Sequence, residues 1–264
     1  AAGKLIRTGI GDIRIASGND IKLGDNKAVI YSAGRVASAV SGFTNPTNAQ
    51  FSQGGGDVNL AALGNITGAA SAQLYSNWLF RQGRLNTDGS AYTTLPAWWV
   101  RYDQFQQGVA ALGGGDVSIQ AGGKLQNVSA SNPTQARMTS TTPDVASLLK
   151  TGGGDVHITT GGDLEGGQYY ADNGELIIRS GGQVASGQSL SGKPLYTILA
   201  LGDAQAKVQA RNDINLHAII NPHLVVQSSG AGANVNVNNA TSPLWSVFST
   251  YGENSGASVS SLSG

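Results

Sequence analysis

An all-β chain wound as a parallel β-helix, a solenoid carrying one small, partly helical insertion, is the fold this sequence predicts, and three observations predict it. The first is repetition. Six phrases that begin in a turn, most of them rich in glycine, align without a gap: GIGDIRIASGNDI from Gly9, GGGDVNLAALGNI from Gly54, GGGDVSIQAGGKL from Gly113, GGGDVHITTGGDL from Gly152, DNGELIIRSGGQV from Asp172 and GDAQAKVQARNDI from Gly202. The second is alternation. An apolar residue recurs two positions on, a small residue follows two further, and an aliphatic residue closes the set: Ile13/Ile15/Ser17/Ile21, Val58/Leu60/Ala62/Ile66, Val117/Ile119/Ala121/Leu125, Val156/Ile158/Thr160/Leu164, Leu176/Ile178/Ser180/Val184 and Ala206/Val208/Ala210/Ile214. The third is spacing. Between first apolar positions the steps are 45, 59, 39, 20 and 30 residues, and the shortest sits at the lower edge of the roughly 20 to 50 residues typical of solenoid repeats.

Alternation with period two marks a strand with one face buried and excludes a helix there. The outward positions, Arg14, Asn59, Ser118, His157, Arg179 and Lys207, are polar and share no chemistry, as solvent-facing sites would. The small residue followed by glycine, or by glycine and asparagine, marks a corner where a left-handed backbone costs little. A short strand then ends in Ile21, Ile66, Leu125, Leu164, Val184 or Ile214. One such phrase cannot bury its own apolar side, so successive copies must stack and share a core. The shortest step, from Val156 to Leu176, reads as one bare coil, the longer steps as extra coils or insertions.

A looser seventh copy, Ala28/Ile30/Ser32/Val36 in AVIYSAGRV, follows the first too closely to be a full coil of the same face. Its SAGRV corner favours another face of the same coil; the alternative is an accidental resemblance. The longest step, from Val58 to Val117, holds an aromatic-rich insertion at 68–112 with three of the four tryptophans. Leu74, Trp78 and Leu79, and again Trp98, Tyr102 and Phe105 after Pro96, have helical spacing. This predicts two short helical turns joined by a loop around Asp88-Gly89, folded as a flap on the solenoid. Trp78, Tyr92, Trp98, Trp99 and Tyr102 form the candidate ligand or partner patch, because such rings anchor interfaces and stack on sugars; the competing reading is that the tryptophans glue the flap down. Arg81, Arg84 and Arg101 either rim that patch or pair with Asp88 and Asp103. Residues 241–264 read as an end-covering segment built on Trp245, Phe248 and Tyr251, or as a frayed tail, with Val259 and Leu262 available for a further strand. The whole span 1–264 is then one β-helix segment.

Glycine, 38 of 264 residues, is about twice its usual share of roughly 7%, and the excess sits at corners. With 16 basic and 16 acidic residues, no net field draws nucleic acid or an anionic membrane. Absence of cysteine excludes disulfides and thiol chemistry and suits export through an oxidising compartment. No run approaches the roughly 18 apolar residues of a membrane span, and AAGKLIRTG lacks the shape of a signal peptide. Repeat-like text at both ends carries the expectation of a segment of something longer.

Candidate chemistry is thin. Asp12, Asp57, Asp116 and Asp155 follow the glycine runs, but calcium-binding β-rolls need tandem copies about nine residues apart, and these carboxylates are 39 to 59 apart. Each is expected to accept hydrogen bonds from its own turn. His157, His217 and His223 are too scattered for a metal site. Asp103, Asp144, Asp163 and Glu165 are the carboxylates a polysaccharide-degrading β-helix would draw on; nothing aligns them, so neither catalysis nor a cofactor is expected. GGGDV opens a strand, where a phosphate loop must open a helix. The sequons at Asn65, Asn127 and Asn239 read as coincidental.

GGGDV followed by AGG and an aliphatic residue, together with LIRTGIGDIRIASGNDI, AVIYSAGRV, LPAWWVRYDQF and INPHL, resembles the filamentous haemagglutinin family, very large exoproteins of Gram-negative bacteria. The resemblance runs from Leu5 to about Gly252. It implies right-handed β-helix rods, two-partner secretion through a dedicated outer-membrane protein, a secreted or cell-surface location, and adhesive patches or, in contact-dependent inhibition systems, a toxin at the tip. On this reading the chain is a structural rod segment of a filamentous adhesin. It would stack on neighbouring coils of its parent chain or associate end to end with another copy, and a host glycan or receptor is the ligand such an adhesin would take. The alternatives are a glycan- or receptor-binding module centred on the insertion, and the stalk of a toxin-delivery protein. Glu175 in place of Asp and Arg211-Asn212 in place of the Gly-Gly corner depart from the pattern.

Overall fold

Each of the first five phrases forms a strand, a corner and a second strand, reduced in the sixth to a single bridge at Ile214, and a third strand closes each coil. The structure, a computed structural model, describes residues 3–224 and 251–264. β1 (Leu5–Thr8), β2 (Ile13–Ser17) and β3 (Ile21–Leu23) lie on the first, second and third faces, and β4 (Val29–Ser32) returns to the first face parallel to β1. A ribbon of β5 (Arg35–Val36) and β6 (Ser52–Gln53) interrupts the path before β7 (Val58–Ala62) and β8 (Ile66–Gly68) stack on β2 and β3. The chain then leaves through one helical turn, Tyr75–Trp78, β9 (Leu79–Leu85) and β10 (Tyr92–Val100). It rejoins as β11 (Gly108–Ala111), β12 (Val117–Ala121), β13 (Leu125–Gln126) and β14 (Ala130–Asn132). Another excursion, β15 (Thr134–Met138) and β16 (Leu148–Gly152), precedes β17 (Val156–Thr160) and β18 (Leu164–Glu165). β19 (Gly167–Ser180) runs without a break from the first face onto the second, as does β23 (Thr197–Ala210); between them lie β20 (Val184–Ala185) and the hairpin of β21 (Ser189–Leu190) and β22 (Lys193–Pro194). β24 (Ala218–Ile220) and β25 (Gly256–Ser261) both pair with β23.

The residues that the sequence equates are the residues that stack. On the second face Ile13, Val58, Val117, Val156, Leu176, Ala206 and Ala257 form one column, each opposite the next in parallel register. On the third face Ile21, Ile66, Leu125, Leu164, Val184 and Ile214 do the same. Apart from the exposed Ala257 of the last strand, both columns pack into a single apolar interior, so the longer steps are insertions rather than extra coils. Ala28, Ile30 and Ser32 also point inward, on the first face of the same coil; Val36 does not, because the chain turns out into the β5–β6 ribbon and leaves it exposed. In the outward column beside the first apolar position the fifth member is Ile177, while Arg179 stands in the next column between Thr159 and Gln209.

The insertion departs from the expected pair of helical turns. Only Tyr75–Trp78 is helical; Trp98 lies in β10, and Tyr102 and Phe105 lie in and just after the turn that follows. β9 and β10 are hairpin arms joined by a turn around Asp88-Gly89, and β10 also pairs with β15, giving an antiparallel sheet in the order β16-β15-β10-β9. That sheet covers the outside of the first face, burying Tyr31, Ala110, Leu112, Tyr170 and Ala200 against Trp78, Trp98, Val100, Phe105 and Ala136. β4, β11 and β14 on the first face are therefore buried on both sides, which is why VIYS and GVAA carry no polar alternation. At the far end β25 supplies the further strand, with Tyr251 exposed; Trp245 and Phe248 lie outside the described residues.

Candidate functional site

The aromatic set is inside the protein. Trp78, Tyr92, Trp98 and Trp99 are between 1% and 4% exposed. Tyr102 is half-buried and donates its hydroxyl to Ser52 Oγ at 2.7 Å. Trp78, Trp98 and Tyr102 meet in one cluster, while Trp99 and Tyr92 lie in two others. Successive residues of a strand point to opposite sides, so Trp98 faces the solenoid while Trp99 packs with Phe51 and Phe80 on the other side, and Tyr92 joins Leu85 and Met138. A sugar needs an open ring face to stack on, and the four buried rings offer none. The arginines divide: Arg101 pairs with Asp103 at 2.7 Å, Arg84 is exposed, and Arg81 is buried with Nη1 donating to the Pro222 carbonyl at 3.0 Å.

Beneath the antiparallel sheet the fold builds a polar junction from four distant segments. Asp172, on β19 where it passes from first to second face, accepts from the hydroxyl of Thr134 on β15, and that hydroxyl accepts from the Trp98 indole at 3.0 Å. His223, on the short helical turn Pro222–Leu224, sits with Nε2 3.9 Å from Asp172 Oδ1 and its ring edge-on to Trp98, centroids 5.0 Å apart. Burial holds the His223 pKa down at about 4; Asp172 opposes that shift and the guanidinium of Arg81 adds to it. Burial also lowers Arg81 to about 10 and pushes Tyr170, beside Asp172, well up. The junction thus holds a neutral imidazole and opposite formal charges out of water. A buried acid with bonded neighbours is suited to fastening the sheet to the solenoid.

The carboxylates after the glycine runs do something other than bind their own turns. Oδ1 of Asp12, Asp57, Asp116 and Asp155 accepts the backbone NH of Asp57, Asp116, Asp155 and Glu175 respectively, each in the following coil, at 2.8–3.0 Å. A second column at the next corner repeats the pattern, Asp20 accepting from Asn65 at 2.7 Å, Asn65 from Lys124 and Asp163 from Gln183, both at 2.9 Å. Stacking brings the next coil's NH closer than the turn's own.

The remaining candidates stay apart. Asp103 pairs with Arg101, Asp144 caps the turn Val145–Ser147, Asp163 belongs to the second column, and Glu165 pairs with Lys124 at 3.4 Å. His157 is exposed and His217 stacks on Tyr196 with centroids 3.8 Å apart. Among the described residues no group of three or more histidine, aspartate or glutamate side chains gathers as a metal site, and no helix is long and apolar enough to cross a membrane. Asn127 is buried at a φ of 53° with its amide bonded to Gln188; Asn239 lies outside the described residues. Comparison with protein-family models, curated proteins and solved structures finds no match to this chain.

Sequence reasoning missed the Asp172–His223–Arg81 junction and the part played by residues 134–152. A usable signal existed for the second: apolar runs such as VIYS, GVAA and ILAL mark strands buried on both faces and so call for a covering layer.

Proposed function

We propose that this chain is a structural rod segment of a large secreted or cell-surface bacterial filamentous adhesin, coiled right-handed, exported by a dedicated outer-membrane partner and without catalytic activity. The observation that carries this reading is the unbroken column from Ile13 to Ala257, in which insertions of very different length leave the stacking register unchanged. Such an arrangement transmits length and stiffness along one axis. The resemblance of the GGGDV phrases to filamentous haemagglutinins supplies the biological setting. Buried tryptophans leave the insertion a structural part in this reading, a plate fixed to one face of the rod.

The test is genetic and visual. At about 4.8 Å of rise per coil, three tandem copies of the segment added to the parent gene lengthen the exported filament by about 100 Å in electron micrographs, and antibody against the segment labels intact cells. Unchanged filament length, or a product confined to the cytoplasm, rejects the reading.

A further inference from the structure

A cleft of about 120 Å³ lies on the flank of the solenoid, between residues 71–74, where the chain leaves the third face, and residues 194–198, where it re-enters the first. Leu74 stands on one wall, 49% exposed, and Tyr196 on the other, 41% exposed; Gln107 and Gln168 line the floor. Both walls are tied to that floor. Gln73 Oε1 accepts the backbone NH groups of Gln106 and Gln107, and Gln168 Nε2 donates to the Gln73 carbonyl. On the other side the Asn127 amide exchanges two bonds with Gln188 at the foot of the hairpin, at 3.2 and 3.3 Å. His217 covers one face of the Tyr196 ring, with the planes 12° apart, so the ring is braced while its remaining surface stays open. Gln107 is 3% exposed and gives Nε2 to the Asn127 carbonyl at 3.0 Å; among the described residues nothing donates to its Oε1 or to that of Gln168. No residue lining the cleft carries a charge.

We infer that this cleft is a binding site for one pyranose ring of a neutral saccharide. Size limits the occupant first. Benzene fills a cavity of about 150 Å³ and drug-sized ligands take roughly 300 Å³ or more, so this space holds a single six-membered ring. The uncharged lining then excludes a phosphate, carboxylate or ammonium group, which would lose water without gaining a partner. A wholly apolar ring meets Tyr196 and Leu74 but leaves the buried Gln107 oxygen unpaired, which is costly. A pyranose answers both needs: its carbon-bound hydrogens present an apolar face to an aromatic ring, and its hydroxyls donate from the edge to the two amide oxygens. Walls fastened before the ligand arrives keep the ordering cost of binding low. The site is separate from the buried tryptophans, and the inference holds whether or not the chain forms part of a filament.

The test is a titration of the full chain, labelled with nitrogen-15, followed through its backbone amide resonances. The probes are the methyl glycosides of glucose, galactose, mannose and N-acetylglucosamine, with methyl glucuronide and cyclohexanol for comparison, each taken to about 50 mM to reach a millimolar Kd. At least one neutral glycoside is expected to shift the amides of Gln168 and Ile198 and to saturate, with the glucuronide and cyclohexanol each about tenfold weaker or worse. Tyr196→Leu, which keeps apolar bulk without the ring, should weaken that glycoside by about tenfold, and Tyr196→Phe by no more than about twofold; the amides of Val117 and Val156 report that each variant is folded. Failure of every neutral glycoside to shift the two amides overturns the site. Unchanged binding in Tyr196→Leu overturns the ring's part in it, and cyclohexanol binding as tightly as the best glycoside overturns the saccharide as its ligand.

Discussion

The backbone NH of Asp155 donates to Oδ1 of Asp116 at 2.8 Å, although the two belong to successive coils and lie far apart along the chain. The corner after each glycine run lies directly over the same corner of the coil before, so a carboxylate there secures the neighbouring coil rather than its own turn. Replacing Asp116 by alanine strands the NH of Asp155 and is expected to cost about 1–2 kcal/mol. Asp116→Asn keeps an acceptor oxygen and should fall within about 0.5 kcal/mol of the parent in urea unfolding. Equal losses for the two variants would mean that charge, not the hydrogen bond, matters there.

Gly161 follows the small residue of its corner, and a Cβ built on it would overlap the carbonyl oxygen of Gly122 in the preceding coil. Backbone cannot yield to that contact without opening the stack. Gly161→Ala is expected to destabilise by more than about 2 kcal/mol, whereas Gly18→Ala, with nothing near the added carbon, should cost little. Thermal unfolding of the pair checks the contrast.

Trp98 closes the layer between β10 and the first face and donates to Thr134. Truncation to alanine should cost about 3–5 kcal/mol and loosen the antiparallel sheet before the solenoid. Trypsin should then cut at Arg84 sooner than in the parent, while the amides of Val117 and Val156 keep slow exchange. Simultaneous loss of protection in both layers would show that sheet and solenoid unfold as one.

His223 is held near 4 when folded against about 6.5 for a free imidazole. Between those values the unfolded chain binds the extra proton, so stability must decline as pH falls from about 6.5 to 4 and level off for this group above it. His223→Asn should flatten that part of the curve, measured as the melting temperature at pH 7, 6, 5 and 4. An identical slope in the variant would assign the acid sensitivity elsewhere.

The second and third faces were legible because each has one side in the core and one outside, which period two records directly; Val58, Val117 and Val156 could be aligned on that basis alone. The covering sheet was not. LFRQGRL and YTTLPAWWV pack against material on both sides, which erases the alternation and left Trp98, Tyr102 and Phe105 looking helical. The direction of the Asp57 and Asp116 bonds depends on which coil lies above, and no local pattern carries that. Asp172, Thr134, Trp98 and His223 meet only because three excursions fold back onto one face, a relation between distant segments that adjacent residues do not encode.

The long path from Val58 to Val117 and the short one from Val156 to Leu176 each bring the chain forward by a single parallel strand pairing. Distance along the axis is thus a ruler graduated in turns and indifferent to the amount of polypeptide in each. Mutations that enlarge or trim an excursion can reshape the flank of the particle while its span stays fixed, and only gain or loss of a whole turn changes how far it reaches.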